Sequence, residues 1–308
     1  MSEVTERWVG EEQRRRFERR FGAHVGDWLE ELPATLEALA TEWDLTLQHS
    51  AVPGGRTSVV VYVTLADGRR GVLKLSPDHG LAQAEAQMLR MWAECGRVPE
   101  VWELDHDRGA ILMERIRGRP LSASGVLPPM ATIGALIQGL HSVDGEPEHL
   151  AELRPLMARV QFVFDMWGRE RAEGPAAGIV PPAVLHQGFN RARDLAHDDV
   201  GTVPLHGDLH PGNVIDGGAR GLVALDPRAC AGDGASDTVD WLMWRITDPA
   251  QARQRAEELS KATGMDAERM LDWARAFAPC LAVAMVNRGR QQSKEFETVM
   301  ELAQSQVP

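Results

Sequence analysis

The chain has few cysteines, no run of apolar residues long enough to cross a bilayer, no excess of positive charge and no Walker-type phosphate loop. Each absence removes a class of protein. Cys95, Cys230 and Cys280 lie far apart, are odd in number and form no CxxC pair. A disulfide framework or a structural zinc site is therefore not expected, and a reducing cytoplasm fits. The apolar stretch Ala278 to Val286 is too short for a membrane span, which needs roughly 20 residues. Met1 to Gly10 contains Glu3, Glu6 and Arg7 without an apolar centre, which argues against a secretory leader. The net charge is −12, from 33 basic and 45 acidic residues, so a nucleic-acid partner is not expected. An acidic surface serves solubility and attracts cationic small molecules. The arginines Arg14, Arg15, Arg16, Arg19 and Arg20 are interrupted by Phe17 and Glu18 and read as a solvated helix face rather than a targeting signal. No internal repeat or low-complexity tract is visible.

What is present is enough chain for two lobes with a sizeable core: 308 residues. Residues 11 to 43 carry an apolar stripe at helical spacing, with Pro33 marking the start of a second helix. A strand-rich stretch follows. Ser58 to Leu65 is dense in β-formers, Asp67-Gly68 signals a hairpin turn, and Gly71 to Leu75 returns as the next strand. Leu81 to Glu94 has helical spacing, and Val98 to Leu104 and Ala110 to Glu114 read as two more strands. Beyond Pro120 the pattern turns helical over Thr132 to His141, Leu150 to Arg171 and Pro182 to Ala196, with loops between. Leu205 to Leu225 interrupts this with short strands around a polar loop, and the chain is helical again from Asp237. The class is α+β: a β-rich N-lobe over residues 1–117 and a mainly helical C-lobe over 118–308.

The densest cluster of chemistry is His206-Gly207-Asp208-Leu209-His210-Pro211-Gly212-Asn213, followed at the end of the strand Gly221 to Leu225 by Asp226. Phosphoryl transfer needs a base beside the acceptor hydroxyl and oxygen ligands for magnesium. Magnesium prefers carboxylate and amide oxygens and seldom has an all-protein cage. Asp208 suits the base, and Asn213 and Asp226 suit the metal. Two other readings compete. His206-x-Asp208-x-His210 has the pattern of a transition-metal site, although further ligands at similar spacing are not evident. Asp-Gly or His-Pro-Gly on its own is ordinarily a turn. With neither histidine ligating, both would brace the loop by hydrogen bonds.

The string HGDLHPGN followed by a strand and an aspartate resembles the aminoglycoside phosphotransferase family, in its streptomycin 6-kinase and hydroxyurea-type antibiotic-kinase branch. The resemblance implies a protein-kinase-like fold, with Asp208 catalytic and Asn213 and Asp226 as metal ligands. Protein kinases have a related loop with Arg where Gly207 stands. The branch often continues its metal-binding Asp with Pro and then Gly-Asp-Pro; this chain has Asp226-Pro227 and then Gly232-Asp233-Gly234, a small departure. The resemblance also implies that Lys74, on the strand Gly71 to Leu75, pairs with Glu85 and holds the α and β phosphates of ATP or GTP. A lysine among apolar strand residues is costly unless paired, which agrees. Ala51 to Ser58 contains Gly54-Gly55 and Ser58, suited to close approach of backbone and hydroxyl to phosphate, although a Gly-Gly before a strand is ordinarily a turn. Ile111 to Leu121 resembles the family's hinge, where backbone groups around Glu114 and Ile116 would bond the base. Met113 serves as a gatekeeper-like wall or as plain core.

Acceptor recognition is expected from the helical lobe. For a polycationic acceptor the candidates are Asp165, Glu170, Asp233, Asp237 and Asp240, although the resemblance implies that one of Asp237 and Asp240 braces the catalytic loop instead. Trp167, Trp241, Trp244 and Trp273 fit core packing better than sugar stacking. The resemblance thus implies an ATP- and Mg2+-dependent antibiotic kinase that phosphorylates a hydroxyl of a small, cationic aminoglycoside such as streptomycin, as a monomer or homodimer. A metabolic kinase acting on a sugar, amino sugar or amino alcohol has the same motifs. A nucleotide-binding pseudokinase is disfavoured because Lys74, Asp208, Asn213 and Asp226 are all present.

Overall fold

The computed structural model describes residues 8–51, 57–142, 150 and 152–305. The Gly54-Gly55 segment proposed to approach phosphate, residues 52–56, and the first seven residues lie outside the described residues. The chain divides into two compact units, Met1–Ala93 with Val98–Arg117, and Glu94–Arg97 with Gly118–Pro308.

The first unit opens with helices α1 (Glu11–Phe21) and α2 (Val25–Glu42). The sequence suggested a break at Pro33, but Pro33 lies inside α2. The break falls at Gly22, whose φ of +86° ends α1 while its N–H still reaches Glu18 O at 2.9 Å. Glycine adopts that conformation without steric cost. A proline inside a helix costs one hydrogen bond and some strain. Burial of Leu29, Leu32, Leu36 and Leu39 along one face offsets that cost.

Five antiparallel strands follow: β1 (Leu45–Ala51), β2 (Val59–Leu65), β3 (Arg70–Leu75), and, after helix α3 (His79–Met91), β4 (Val101–Asp105) and β5 (Ala110–Glu114). Their order in the sheet is β1-β2-β3-β5-β4. Residues paired across antiparallel strands share a face. Val61, Leu73 and Leu112 pair in one row and Val59, Leu75 and Ala110 in another. Both rows pack in one core with Phe17, Leu29, Leu32, Leu36 and Leu39 of the two helices. The opposite face carries the rows Val60–Lys74–Ile111 and Tyr62–Val72–Met113. Alternation along β3 thus assigns Lys74 to the face that α1 and α2 leave free.

The second unit holds α4 (Leu121–Ser124), α5 (Met130–His141), α6 (Leu156–Glu173), α7 (Pro182–His197), α8 (Val239–Met243), α9 (Pro249–Thr263), α10 (Ala267–Asn287) and α11 (Lys294–Gln304). Helix α10 is its axis, buried through Met270, Trp273, Ala276, Val283 and Met285 and packed against α6, α7, α8, α9 and α11. Trp241 and Trp273 are fully buried, as core packing requires. Two short hairpin-like pairs frame the polar loop. One joins β6 (Val203–Leu205) to β9 (Cys230–Gly232), and the other joins β7 (Val214–Asp216) to β8 (Leu222–Ala224). Glu94–Arg97 belongs with this unit because Arg97 O accepts from Ala224 N at 2.8 Å and Arg97 Nη1 donates to Arg220 O at 2.5 Å. Among the described residues no helix is long and apolar enough to cross a membrane.

Candidate active site

The loop between β6 and β7 is held by its own residues and by one buried carboxylate. Asp237 accepts from His206 N at 2.8 Å through Oδ2 and from Gly207 N at 2.9 Å through Oδ1. His141 Nε2 lies 3.2 Å from Oδ2. Burial pushes the Asp237 carboxyl up, but the hydrogen bond and charge of His141, with His206 and the Gly207 N–H, hold it below the usual carboxylate range. His206 is fully buried; Asp208 N donates to its Nδ1 at 3.3 Å, and its Nε2 faces Leu225 O at 3.0 Å. Both ring nitrogens are thus engaged with the backbone. His210 Nδ1 accepts from Gly212 N at 2.9 Å. Through these bonds both histidines brace the loop. Among the described residues no cluster of three or more His, Cys, Asp or Glu side chains is arranged to hold a metal ion.

That bracing presents Asp208, whose side chain is 34% exposed. Arg159 Nη2, from α6, donates to Oδ1 at 2.9 Å. Asn213 Nδ2 donates to Asp208 O at 3.0 Å and, at 3.3 Å, to Oδ2. With its amide nitrogen turned to Asp208, Asn213 could offer its side-chain oxygen to a cation. Asn213 and Asp226 emerge at the same end of the β7–β8 hairpin. The register Val214↔Ala224 continues into a 2.7 Å bond from Leu225 N to Asn213 O. Asp226 is exposed with φ of +57°, a left-handed conformation that aspartate tolerates better than most residues. Backbone outliers of this kind concentrate at functional sites.

In the first unit, Lys74 Nζ donates to both oxygens of Glu85, at 2.6 and 2.7 Å, and the two side chains are 7% and 3% exposed. They line a narrow recess with Thr57, Ser58, Ser76 and Ile111. Ser58 is buried, and its carbonyl accepts from Gln13 Nε2 of α1 at 3.4 Å. Glu114 shares a row with Gly71 and Val63, so its side chain is on the sheet face opposite Lys74, and its Oε2 accepts from Glu100 N at 3.4 Å. Ile116 follows the end of β5. Between the two, Arg115 stacks its guanidinium 3.5 Å over the Tyr62 ring.

Residues 42–289 match the family described as aminoglycoside/hydroxyurea antibiotic resistance kinase. The chain belongs to that family. It is 31% identical to a streptomycin 6-kinase of Streptomyces glaucescens over 280 residues, 83% of this chain and 84% of that one. It is 29% identical to a hydroxyurea phosphotransferase of Kitasatospora aureofaciens, across 82% of this chain and 73% of the relative. Among solved structures, the choline kinase LicA of Streptococcus pneumoniae superposes with a TM-score of 0.60 at 12% identity, covering 89% of this chain and 99% of that one. The protein-kinase-like fold is thereby established, and this antibiotic-resistance kinase is a phosphotransferase.

Of the acidic acceptor candidates in the kinase, two are already committed to structure. Asp237 braces the loop. Asp233 Oδ2 accepts from Trp273 Nε1 at 2.5 Å and from Arg269 Nε at 2.7 Å. Asp165 and Glu170 are exposed on α6. Asp240 is half-buried, and burial pushes its carboxyl up, with the Asp208 charge acting in the same direction. Arg159 was not legible in the sequence. An arginine on an amphipathic helix resembles any solvated residue, and its contact spans 49 positions of chain.

Proposed function

We propose that this kinase transfers the γ-phosphoryl group of ATP to a hydroxyl of an aminoglycoside such as streptomycin. The observation that carries the reading is Asp208: a half-exposed carboxylate on a loop fixed by Asp237, with Asn213 bonded to it and Asp226 delivered by the same hairpin. The kinship with a streptomycin 6-kinase supports the acceptor class.

In this reading the acceptor hydroxyl donates a hydrogen bond to Asp208. Its oxygen attacks the γ-phosphorus in line as the proton passes to the carboxylate, and the bond to the leaving ADP oxygen breaks. No covalent enzyme intermediate is needed. Lys74, held straight by Glu85, would bind the α and β phosphates. Ser58 would donate from the recess beside it, and backbone groups at Glu114 and Ile116 would meet the base. The Asn213 oxygen and the Asp226 carboxylate would hold magnesium, a hard cation that would supply neutralising charge for the phosphate oxygens. The donor set is small, as expected where phosphate and water complete the shell.

The test is ADP release by purified protein with ATP and Mg2+ across streptomycin, other aminoglycosides, hydroxyurea, choline and amino sugars. Stimulation by streptomycin is expected. Asp208→Asn should lower turnover by about a thousandfold while nucleotide affinity, read by calorimetry, changes little. Near-normal turnover in that variant would refute the base assignment. Stimulation by choline or an amino sugar alone would replace the acceptor class and leave the chemistry standing.

A further inference from the structure

Arg159 sits in the first full turn of α6 and is removed in sequence from every motif of the loop, yet its guanidinium, at 2.9 Å, lies closer to the Asp208 carboxylate than Asn213 does at 3.3 Å. It uses two donors. Nε donates to Gly207 O at 2.7 Å and Nη2 donates to Asp208 Oδ1 at 2.9 Å. The Phe162 ring, one turn on, lies 5.6 Å from its carbon Cζ. The side chain is only 16% exposed. Two charge-assisted bonds from one rigid fork fix direction as well as distance, which a lysine cannot do.

The two carboxylate oxygens of Asp208 are therefore not equivalent. Oδ1 accepts the short, charge-assisted bond from Arg159. Oδ2 has the longer bond from Asn213, at 3.3 Å, and His210 Nε2 at 3.9 Å. His210 accepts at Nδ1 from Gly212 N, so in the neutral ring the proton is on Nε2, on the Oδ2 side. Rotation of the carboxylate about its own axis would exchange the two oxygens, and the Arg159 fork opposes that rotation because its other donor, Nε, is tied to the backbone of Gly207.

We propose that Arg159 is a positioning residue for phosphoryl transfer, pinning Oδ1 of Asp208 so that Oδ2 faces the acceptor hydroxyl. The inference rests on the reading of Asp208 as the base. Arg159 acts through Asp208 and needs no contact of its own with either substrate. Its loss therefore appears in kcat, with KM for nucleotide and acceptor unchanged. A carboxylate displaced by about 1 Å or rotated out of line lowers turnover by about a hundredfold.

The experiment measures ADP release from ATP and Mg2+ with streptomycin as acceptor, or with water where streptomycin gives no stimulation. It compares Arg159→Ala, Arg159→Lys and Asp208→Asn with the unmodified chain. Arg159→Ala should lose about a hundredfold in kcat with both KM values within about threefold. Methylguanidine in the buffer should restore part of that turnover by occupying the vacated fork. It should do nothing for Asp208→Asn. Arg159→Lys should fall between, because it keeps the charge and loses the planar pair of donors. If Arg159→Ala does not fold, judged by its melting temperature and by calorimetric nucleotide binding, Arg159→Lys carries the test alone. In that case at least a fivefold loss in kcat at constant KM supports the proposal. Unchanged kcat in a folded variant, a loss confined to KM, or a loss that methylguanidine leaves untouched in folded Arg159→Ala overturns it. If Asp208→Asn itself keeps its turnover, the base reading fails first, and the two failures are told apart.

Discussion

His206 is buried completely and still lies two residues from the proposed base. Burial pushes its imidazolium form out of favour, only partly opposed by the charges of Asp237 and Asp208, so its pKa is below the ordinary histidine value. The folded state therefore holds a neutral ring, with Nδ1 accepting from Asp208 N. The unfolded chain takes up this proton first as pH falls. The stabilisation is complete above the unfolded value, about 6.5, and is lost as pH drops below it toward the lower folded value. Urea denaturation between about pH 7.5 and about pH 5.5 should show stability falling, with a shallower fall for His206→Gln. Equal slopes in the two proteins would remove His206 from the account. Gly207 is the other residue whose identity the backbone dictates. Its φ is +73°, and a Cβ there would lie 2.3 Å from Arg228 O, so no larger residue fits without a shift of the backbone at Gly207 or Arg228. The loop string was legible because several rare residue types fall together in it. The reasons for its glycine were not, since Arg228 approaches only after β8 and β9 have folded back.

Helices α1 and α2 show what patterning can and cannot convey. Their apolar stripes were visible at helical spacing, and the stripes do pack against one face of the sheet. What the stripes could not show was the face. That follows from the β2–β3 register, which turns Val59, Val61, Leu73 and Leu75 toward the helices and leaves Lys74 on the other side. The break between the helices was misplaced because proline is a louder signal than glycine, whereas a positive φ at Gly22 ends a helix more completely than a tolerated Pro33. Phe17 is the keystone of this layer: fully buried, edge-on to Trp28 at 5.9 Å and beside Phe21. Phe17→Ala should cost about 3–5 kcal/mol of stability in this unit, read as a lower urea midpoint. A cost below about 1 kcal/mol would mean that the helices decorate the sheet rather than complete its core.

For the molecule as a whole, the fold is indifferent to the acceptor. The choline kinase of Streptococcus pneumoniae and a spectinomycin phosphotransferase both share it at 12% identity. Acceptor identity must therefore come from features other than the fold. The net charge of −12 is one such feature, and it acts at long range. A polycationic acceptor approaching an anionic protein is enriched near its surface, and added salt screens that attraction over a Debye length that shrinks to about 8 Å at physiological ionic strength. If the acceptor is an aminoglycoside, its KM should rise severalfold between about 0.02 M and about 0.3 M sodium chloride, while kcat and the KM of a neutral acceptor such as hydroxyurea stay nearly constant. Constant KM for streptomycin across that range would show that the negative surface serves solubility and that recognition is short-range. A parallel rise for hydroxyurea would instead indicate a salt effect on nucleotide binding, since a neutral acceptor has no charge for the surface to attract.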